Sequence, residues 1–386
     1  MIKSLIDTDL YKLSQQNAVL FGNISGVKLS EIPVKYEFIN RGKTEFPEGF
    51  SLKLRSAVEK MALLHLSPEE KRFLSEKCPF LRKSYLDYLT GYTYNPAEVS
   101  ISQNGPNLSI TVTGPWSRTI LWEVPLMAIV SELYFKEMGI KAENGWRHRR
   151  DKKASLINRH ELLLADFGTR RRFSWRIQNS VVNMFARHAG PTFIGTSNVQ
   201  LAMRNNVKPI GTMAHEFCMA LASLFGYRKA NYYMLEAWTN EFQGDLGIAL
   251  TDTFTTDVFF KDFNLKFAKL FNGIRWDSGD AIEFINKAVT HYKKLGIDSL
   301  SKTVVFSDGL DIPRAIDIAR ECEGKIKCSF GVGTNLSNDV GARPLNMVIK
   351  MTECNRVPTV KLSDAEGKHT GTPESIKLCK QTLGLE

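Results

Sequence analysis

Leu162-Leu-Leu-Ala-Asp-Phe-Gly-Thr-Arg170 passes from an unbroken apolar run straight into a polar loop that contains a glycine. The same change recurs six more times before Asn335. It falls at Gly195-Thr-Ser-Asn198, Gly211-Thr-Met-Ala-His-Glu216, Leu250-Thr-Asp252, Arg275-Trp-Asp-Ser-Gly-Asp280, Phe306-Ser-Asp-Gly309 and Phe330-Gly-Val-Gly-Thr334. Short apolar runs without alternation are the pattern of strands buried on both faces, as in a parallel sheet. Helical stretches separate them: Ala281–Leu295 places Ile282, Ile285, Ala288, Val289 and Tyr292 on one face, and Asp311 is suited to cap a helix that follows it. Strand, loop and helix in repeated succession favour α/β architecture over an antiparallel sandwich. Seven strand ends, or eight with Met347–Met351 as a last strand, suit a closed barrel, whose carboxyl-end loops meet at one shared site. The pattern announces an enzyme.

The first 125 residues read differently. Val34–Asn40, Glu98–Ser102 and Leu108–Val112 alternate at strand period, and the last two flank a turn-rich spacer, which predicts a hairpin. Leu54–Leu66 is apolar at helical spacing, and Ser67-Pro-Glu-Glu70 carries a capping box with proline at the first helical position. Trp116–Gly139 is a long apolar helical stretch containing Pro125, and it leads into the barrel. Asn346–Cys354 and Val357–Leu362 flank Asn355-Arg356 as a second hairpin, and Thr372-Pro373 opens a terminal helix. The expected fold is therefore α/β: an irregular TIM-like barrel over residues 126–345, a smaller N-terminal α/β sandwich over 1–125, and a C-terminal tail, 346–386, that returns to the N-terminal sheet.

Composition narrows the class. A chain of 386 residues with 24% charged residues has an ordinary globular balance, and no apolar run is long enough to span a membrane. The six cysteines contain no C-x-x-C pair, so a disulfide framework or zinc knuckle is excluded in favour of reduced thiols and a cytoplasmic location. The amino terminus is too short in apolar residues for a secretory signal. A net charge of +10 points to anionic partners. The basic clusters Arg147–Lys153 and Arg170–Arg172 lack the aromatic signature of an RNA-binding module, so small phosphates are favoured over nucleic acid. For Arg147–Lys153 the plainest reading is a solvated helix face.

Five clusters carry chemistry. In Arg275–Asp280, two acids, an arginine and a serine surround one glycine, a set that holds ribose hydroxyls or a diphosphate; the alternative is a helix-capping loop with Asp277 or Ser278 as cap. Phe330-Gly-Val-Gly-Thr334 resembles a phosphate cradle, since glycines admit close backbone approach and Thr334 adds a hydroxyl; the alternative is a turn that needs positive φ. Ser307 and Asp308 end the preceding strand and can meet sugar hydroxyls. His215 cannot belong to a metalloprotease pair, because Met219 stands where the second histidine would be. An isolated histidine is more often structural; at a strand end among phosphate-type loops the alternative is a nucleophile toward a phosphoryl group, oriented by Asp252 or Asp257. Phe167 offers a flat face beside Arg170 and Arg172, which suits an aromatic carboxylate as well as it suits a core residue beside solvated charge.

Together with Asp7-Thr-Asp-Leu-Tyr-Lys12, Gly114-Pro-Trp116, Leu121–Pro125, Asn346–Lys350 and Val360–Asp364, the seven clusters, in order, resemble the nicotinate phosphoribosyltransferase family in its bacterial branch. The resemblance implies an ATP-coupled, ligase-type reaction in NAD salvage: nicotinate and phosphoribosyl pyrophosphate give nicotinate mononucleotide and pyrophosphate. It implies ATP with Mg²⁺ as its counter-ion, no resident metal, a transient phosphohistidine at His215, and catalytic roles for Glu216, Asp277 and Asp257. It places Phe167 on the pyridine ring, Arg170 on the carboxylate, and Tyr11 against the ring from a neighbouring subunit, hence a homodimer with a shared site. Arg275, Asp277, Ser278, Ser307 and Asp308 would hold ribose and diphosphate, and Gly331, Gly333 and Thr334 the 5′-phosphate. Thr196 and Ser197 occupy the loop where relatives that use nicotinamide carry an aspartate. An aspartate would repel a carboxylate by about 4 kcal/mol at close range and an effective dielectric of 20, whereas Ser197 can donate to it. The acid is thereby favoured over nicotinamide or quinolinate, and a barrel acting on tRNA bases is disfavoured for want of a clustered zinc site.

Overall fold

The computed structural model describes residues 1–365 and 367–385. Its central feature is a six-stranded, all-parallel sheet. The strands run in the order Phe193–Thr196, Leu164–Asp166, Lys327–Val332, Thr303–Phe306, Gly273–Trp276 and Ile248–Leu250. Closure comes from a seventh, irregular stave at Lys208–Thr212. Ile210 N donates to Thr196 O at 2.9 Å on one side, and Thr212 Oγ1 donates to Ile248 O at 2.6 Å on the other. Gly195 makes this approach possible, because its φ is +140° and a Cβ there would lie 2.0 Å from Lys208 O. All seven polar clusters follow the carboxyl ends of these staves.

Met347–Met351 is not an eighth stave. The strand Met347–Cys354 pairs antiparallel with Pro33–Asn40 in a five-stranded sheet that also contains Asn107–Pro115 and Val99–Asn104. Its alternating burial fits a sheet wet on one face, which a barrel stave would not tolerate. The two predicted hairpins are present, the first closing on Gly105-Pro106 between Asn104 and Asn107.

Local signals set most boundaries. Ser67 Oγ accepts from Glu70 N while Ser67 N donates to the Glu70 carboxylate, the reciprocal box expected there. Asp311 accepts from Arg314 N and starts the helix Ile312–Cys322. The apolar 116–139 stretch breaks into a turn of helix, a 3-10 turn and the helix Glu123–Glu137. Pro125 thereby falls in a first turn, where its missing N–H costs no intrahelical bond. Leu54–Leu66 resolves as Phe50–Glu59 followed by a 3-10 turn at Lys60–Leu63, entered through left-handed Gly49. Among the described residues, no helix is long and apolar enough to cross a membrane.

Both chain ends fold onto the barrel mouth. Leu10 N donates to Ser197 O at 2.8 Å, and Asp9 bridges Asn198, so residues 6–10 lie along the end of the Phe193–Thr196 strand. The tail crosses the opposite rim, with Leu362 N donating to Thr253 O at 2.8 Å.

Candidate active site

Where these segments converge, a cavity of about 430 Å³ opens over the carboxyl ends of the staves. Seven Lys or Arg side chains line it against five carboxylates, a cationic excess suited to polyanions.

One end is built to hold a ring. Tyr11, Phe167 and Arg170 line it together, and all three belong to one chain. The backbone bonds at residues 9 and 10 hold Tyr11 at its own chain's barrel mouth. Arg170 Nη1 lies 3.4 Å from Glu123 Oε1. Glu123 is itself held by the ammonium of Lys12, which sits 2.6 Å from Glu123 Oε2 and 2.6 Å from Glu216 Oε2 with its side chain wholly buried. Burial pushes both carboxyls upward. For Glu123, Lys12 and Arg170 outweigh it and leave the group low; for Glu216, burial prevails and the group stays raised. Glu216 lines the cavity beside His215, and its Oε1 has no hydrogen-bond partner among the described residues.

Gly331 plays a different part from the one expected. It is buried against the base end, and a Cβ there would lie 2.3 Å from the Phe167 ring, so this glycine seats the aromatic instead of cradling phosphate. Gly331→Ala should tilt Phe167 and raise the KM for the base by roughly threefold to tenfold, the scale of one aromatic stacking contact. Steady-state kinetics with the base varied will show it; an unchanged KM would mean that Phe167 does not bear on the ring.

Thr196 and Ser197 do not reach the cavity. Thr196 Oγ1 donates to Asp166 at 2.8 Å and Ser197 Oγ donates to Asp9 at 2.7 Å, both within buried polar networks. Ser197 is therefore spent on a neighbouring carboxylate. Asp9 itself is pushed up by burial, partly offset by Arg170 and by hydrogen bonds from Thr169 and Ser197.

The middle of the cavity is organised around His215, the first residue of the helix His215–Phe225. Its Nε2 lies 2.8 Å from Asp252 Oδ1 and 3.7 Å from Asp277 Oδ2. Asp252 thus fills the orienting role. Asp257 does not: it is exposed on the helix Thr256–Asp262 and pairs with Lys287 at 3.0 Å. Burial drives the His215 pKa down to about 4, with Lys361 adding to the effect against the pull of Asp252. Burial also works against Asp252, but His215, Lys361 and the Ser278 hydroxyl hold its carboxyl well below the usual range. A neutral ring that donates from Nε2 to a carboxylate leaves the Nδ1 lone pair free as nucleophile. Imidazole ¹⁵N shifts of His215 should titrate with a midpoint near 4, the ring staying neutral above it; a midpoint at or above about 6, the ordinary histidine range, contradicts this assignment.

The far end carries the sugar and phosphate candidates. Arg275 Nε donates to Ser307 Oγ at 2.8 Å and its Nη2 meets Asp277 Oδ1 at 3.1 Å, while Ser307 Oγ donates to the same Asp277 oxygen at 2.8 Å. Asp308 pairs with Lys368 of the tail. Gly333 and Thr334 complete that wall. The helix Ala281–Lys294 is capped by Asp280, which accepts from Glu283 N at 2.8 Å; neither Asp277 nor Ser278 is the cap. Ser278 stays behind the wall, donating to Asp252 at 2.6 Å, so it supports the site without facing it.

Several lining residues carry no signal in local sequence. Arg41, Arg171, Lys350 and Lys361 come from a strand end, a loop and two tail segments that only the fold brings together. Burial, reinforced by Lys361 and Arg170 against the pull of Glu123, lowers Lys350 to about 8, a shift that an incoming anion would offset. Lys12, Lys350 and Lys361 stand inside the motifs that carry the family resemblance and Arg171 inside the basic cluster Arg170–Arg172, which are the only clues available to them. Ligand atoms of His215, Asp252 and Asp277 lie within 4.8 Å of one another. With one nitrogen and two carboxylates already bonded to each other and to neighbours, the set suits a phosphoryl relay better than an all-oxygen Mg²⁺ cage.

Comparison with known proteins agrees with this architecture. The model of the nicotinate phosphoribosyltransferase (NAPRTase) family matches residues 162–386, and that of its N-terminal domain matches residues 6–131. A nicotinate phosphoribosyltransferase of Desulforapulum autotrophicum is 49% identical over 99% of this chain and 99% of its own length. One of Chromohalobacter salexigens is 48% identical over 100% and 99%. The crystal structure of nicotinate phosphoribosyltransferase from Porphyromonas gingivalis superposes with a TM-score of 0.94 at 40% identity, covering 100% of both chains. On these grounds the chain belongs to the nicotinate phosphoribosyltransferase family.

Proposed function

We propose that this chain transfers a phosphoribosyl group from phosphoribosyl pyrophosphate to nicotinate, giving nicotinate mononucleotide and pyrophosphate as the first step of NAD salvage from nicotinate, and that ATP drives the reaction through a phosphohistidine at His215. The observation that carries this reading is one cavity with three kinds of wall: a ring-and-guanidinium end, a neutral histidine backed by Asp252, and a hydroxyl-and-phosphate end. Nicotinate lies between Tyr11 and Phe167 with its carboxylate on Arg170. The ring nitrogen attacks the ribose C1′, and the C1′–O bond to pyrophosphate breaks. Asp308 and the Arg275–Asp277 pair hold the ribose and diphosphate, Gly333 and Thr334 take the 5′-phosphate, and the surrounding cations stabilise the departing pyrophosphate. In the coupled step Nδ1 of His215 accepts the γ-phosphoryl group of ATP, releasing ADP. Mg²⁺ would accompany the phosphates as their counter-ion, and Asp277, which lines the cavity, would be available to meet it.

Six free cysteines, five of them buried, support work in the cytoplasm. Incubation with γ-labelled ATP should leave acid-labile phosphate on the peptide that contains His215. Label that is acid-stable, or that maps to another residue, would overturn the relay.

A further inference from the structure

The basic run Arg147–Lys153 is only partly a solvated face. Arg147, His148 and Lys152 are exposed on the helix Trp146–Arg159, but Lys153 turns inward with 15% of its side chain accessible. Its ammonium donates to the carbonyl of Asn335 and lies 2.6 Å from Asp339 Oδ2, and Arg149 approaches the same aspartate at 3.5 Å. Asn335 follows Gly333 and Thr334 in the cavity wall. Within this short helical turn, Gly333 O accepts from Leu336 N and Thr334 O from Asn338 N, whereas among the described residues no backbone N–H donates to Asn335 O. Lys153 is thus the donor that satisfies that carbonyl. On its inner side the turn is tied to the ring-binding loop, through Ser337 Oγ to Gly168 O at 2.7 Å and Asn338 Nδ2 to Arg171 O at 2.8 Å. Lys153 anchors the outer side.

We propose that Lys153 is a positioning residue for phosphoribosyl pyrophosphate: it fixes the peptide planes of Gly333–Asn335 from behind and thereby sets the wall that receives the sugar phosphate. This rests on the assignment of that wall under the proposed function. Arg150 supplies a control on the same helix, since its partners are Ser180, Asp151 and the Trp146 ring.

Steady-state kinetics on the full chain test the idea. Lys153→Met should raise the KM for phosphoribosyl pyrophosphate roughly tenfold, the worth of one charge-assisted hydrogen bond, with the KM for nicotinate within about twofold of the parent value. Lys153→Arg should recover most of the loss, and Arg150→Met should match the parent. A parent-like KM in Lys153→Met, or equal shifts in both KM values, would overturn the proposal. Where Lys153→Met does not fold, Asp339→Asn serves in its place: the KM for phosphoribosyl pyrophosphate should rise selectively, and an unchanged value overturns the idea. A parent enzyme that makes no nucleotide from phosphoribosyl pyrophosphate would instead sink the functional reading itself, before any variant is compared.

Discussion

Lys12→Met is expected to destabilise the fold by about 3–5 kcal/mol, the usual penalty for removing one partner from a buried ionic group. Lys12 is wholly buried and is the one ammonium shared by Glu123 and Glu216, each 2.6 Å away. Methionine fills the same volume, so the loss reports charge and not packing. Two carboxylates would then face each other out of water, and their folded-state pKa values would rise above the unfolded value near 4.5. The sign of the pH dependence follows. Protonated carboxyls suffer no repulsion, and the parent keeps its Glu123 ion pair down to about 2, so the deficit begins there and grows until pH has passed the raised folded values of the variant. Lys12→Met with Glu216→Gln should recover part of the stability, because Glu123 then keeps Arg170 as its partner. The single variant should also bind nicotinate poorly, since an uncompensated Glu123 draws Arg170 away from the ligand carboxylate. Denaturant unfolding at neutral pH is the check. A loss below about 1 kcal/mol would mean that solvent reaches the triad and that its charges are screened.

His215→Ala should abolish ATP hydrolysis and every stimulation of turnover by ATP, while slow transfer from phosphoribosyl pyrophosphate persists. Removing a covalent nucleophile costs on the order of a million-fold in hydrolases where it has been measured, because no other group takes its place. Here the neighbours cannot substitute. Asp252 is engaged by Ser278 and Lys361 as well as by His215, and Asp277 is tied to Arg275 and Ser307. The ring and sugar ends do not touch His215 directly, so ground-state binding of both substrates survives. Asp252→Asn should be milder, because the imidazole remains but loses the acceptor that fixes its tautomer. Retained ATP stimulation in His215→Ala would refute the phosphohistidine.

How legible this was in the sequence depends on the distance over which each feature is determined. Strand ends, the Ser67 box and the Asp311 cap are set within a few residues, and the structure has them where the pattern put them. The closing stave at Lys208–Thr212 was legible only by its loop, because Pro209 and the flanking polar residues hide an irregular strand. Met347–Met351 was ambiguous for a related reason: a short apolar run does not say which sheet it joins. Among site residues, those on strand-end loops were found, since loop chemistry is local. Ser197 and Thr196 were found at the right place but turned inward, because Asp9 and Asp166 compete for their hydroxyls. Gly331 was read as a phosphate contact, when its missing Cβ makes room for Phe167. Asp257 and Asp252 are five positions apart and of one residue type; only the turn between them decides that one is buried and the other meets solvent. Lys12, Glu123 and Lys361 form contacts across more than a hundred residues, and no local pattern encodes them.

Under the proposed function the cavity selects a ring carboxylate through Arg170, and His215 couples phosphoribosyl transfer to ATP. Initial rates of mononucleotide formation from nicotinate, nicotinamide and quinolinate, each with phosphoribosyl pyrophosphate in the presence and absence of ATP, test both parts at once. The predicted result is turnover with nicotinate that ATP increases strongly, and little with the amide or the diacid. Equal or faster use of nicotinamide, or a nicotinate rate indifferent to ATP, would contradict it.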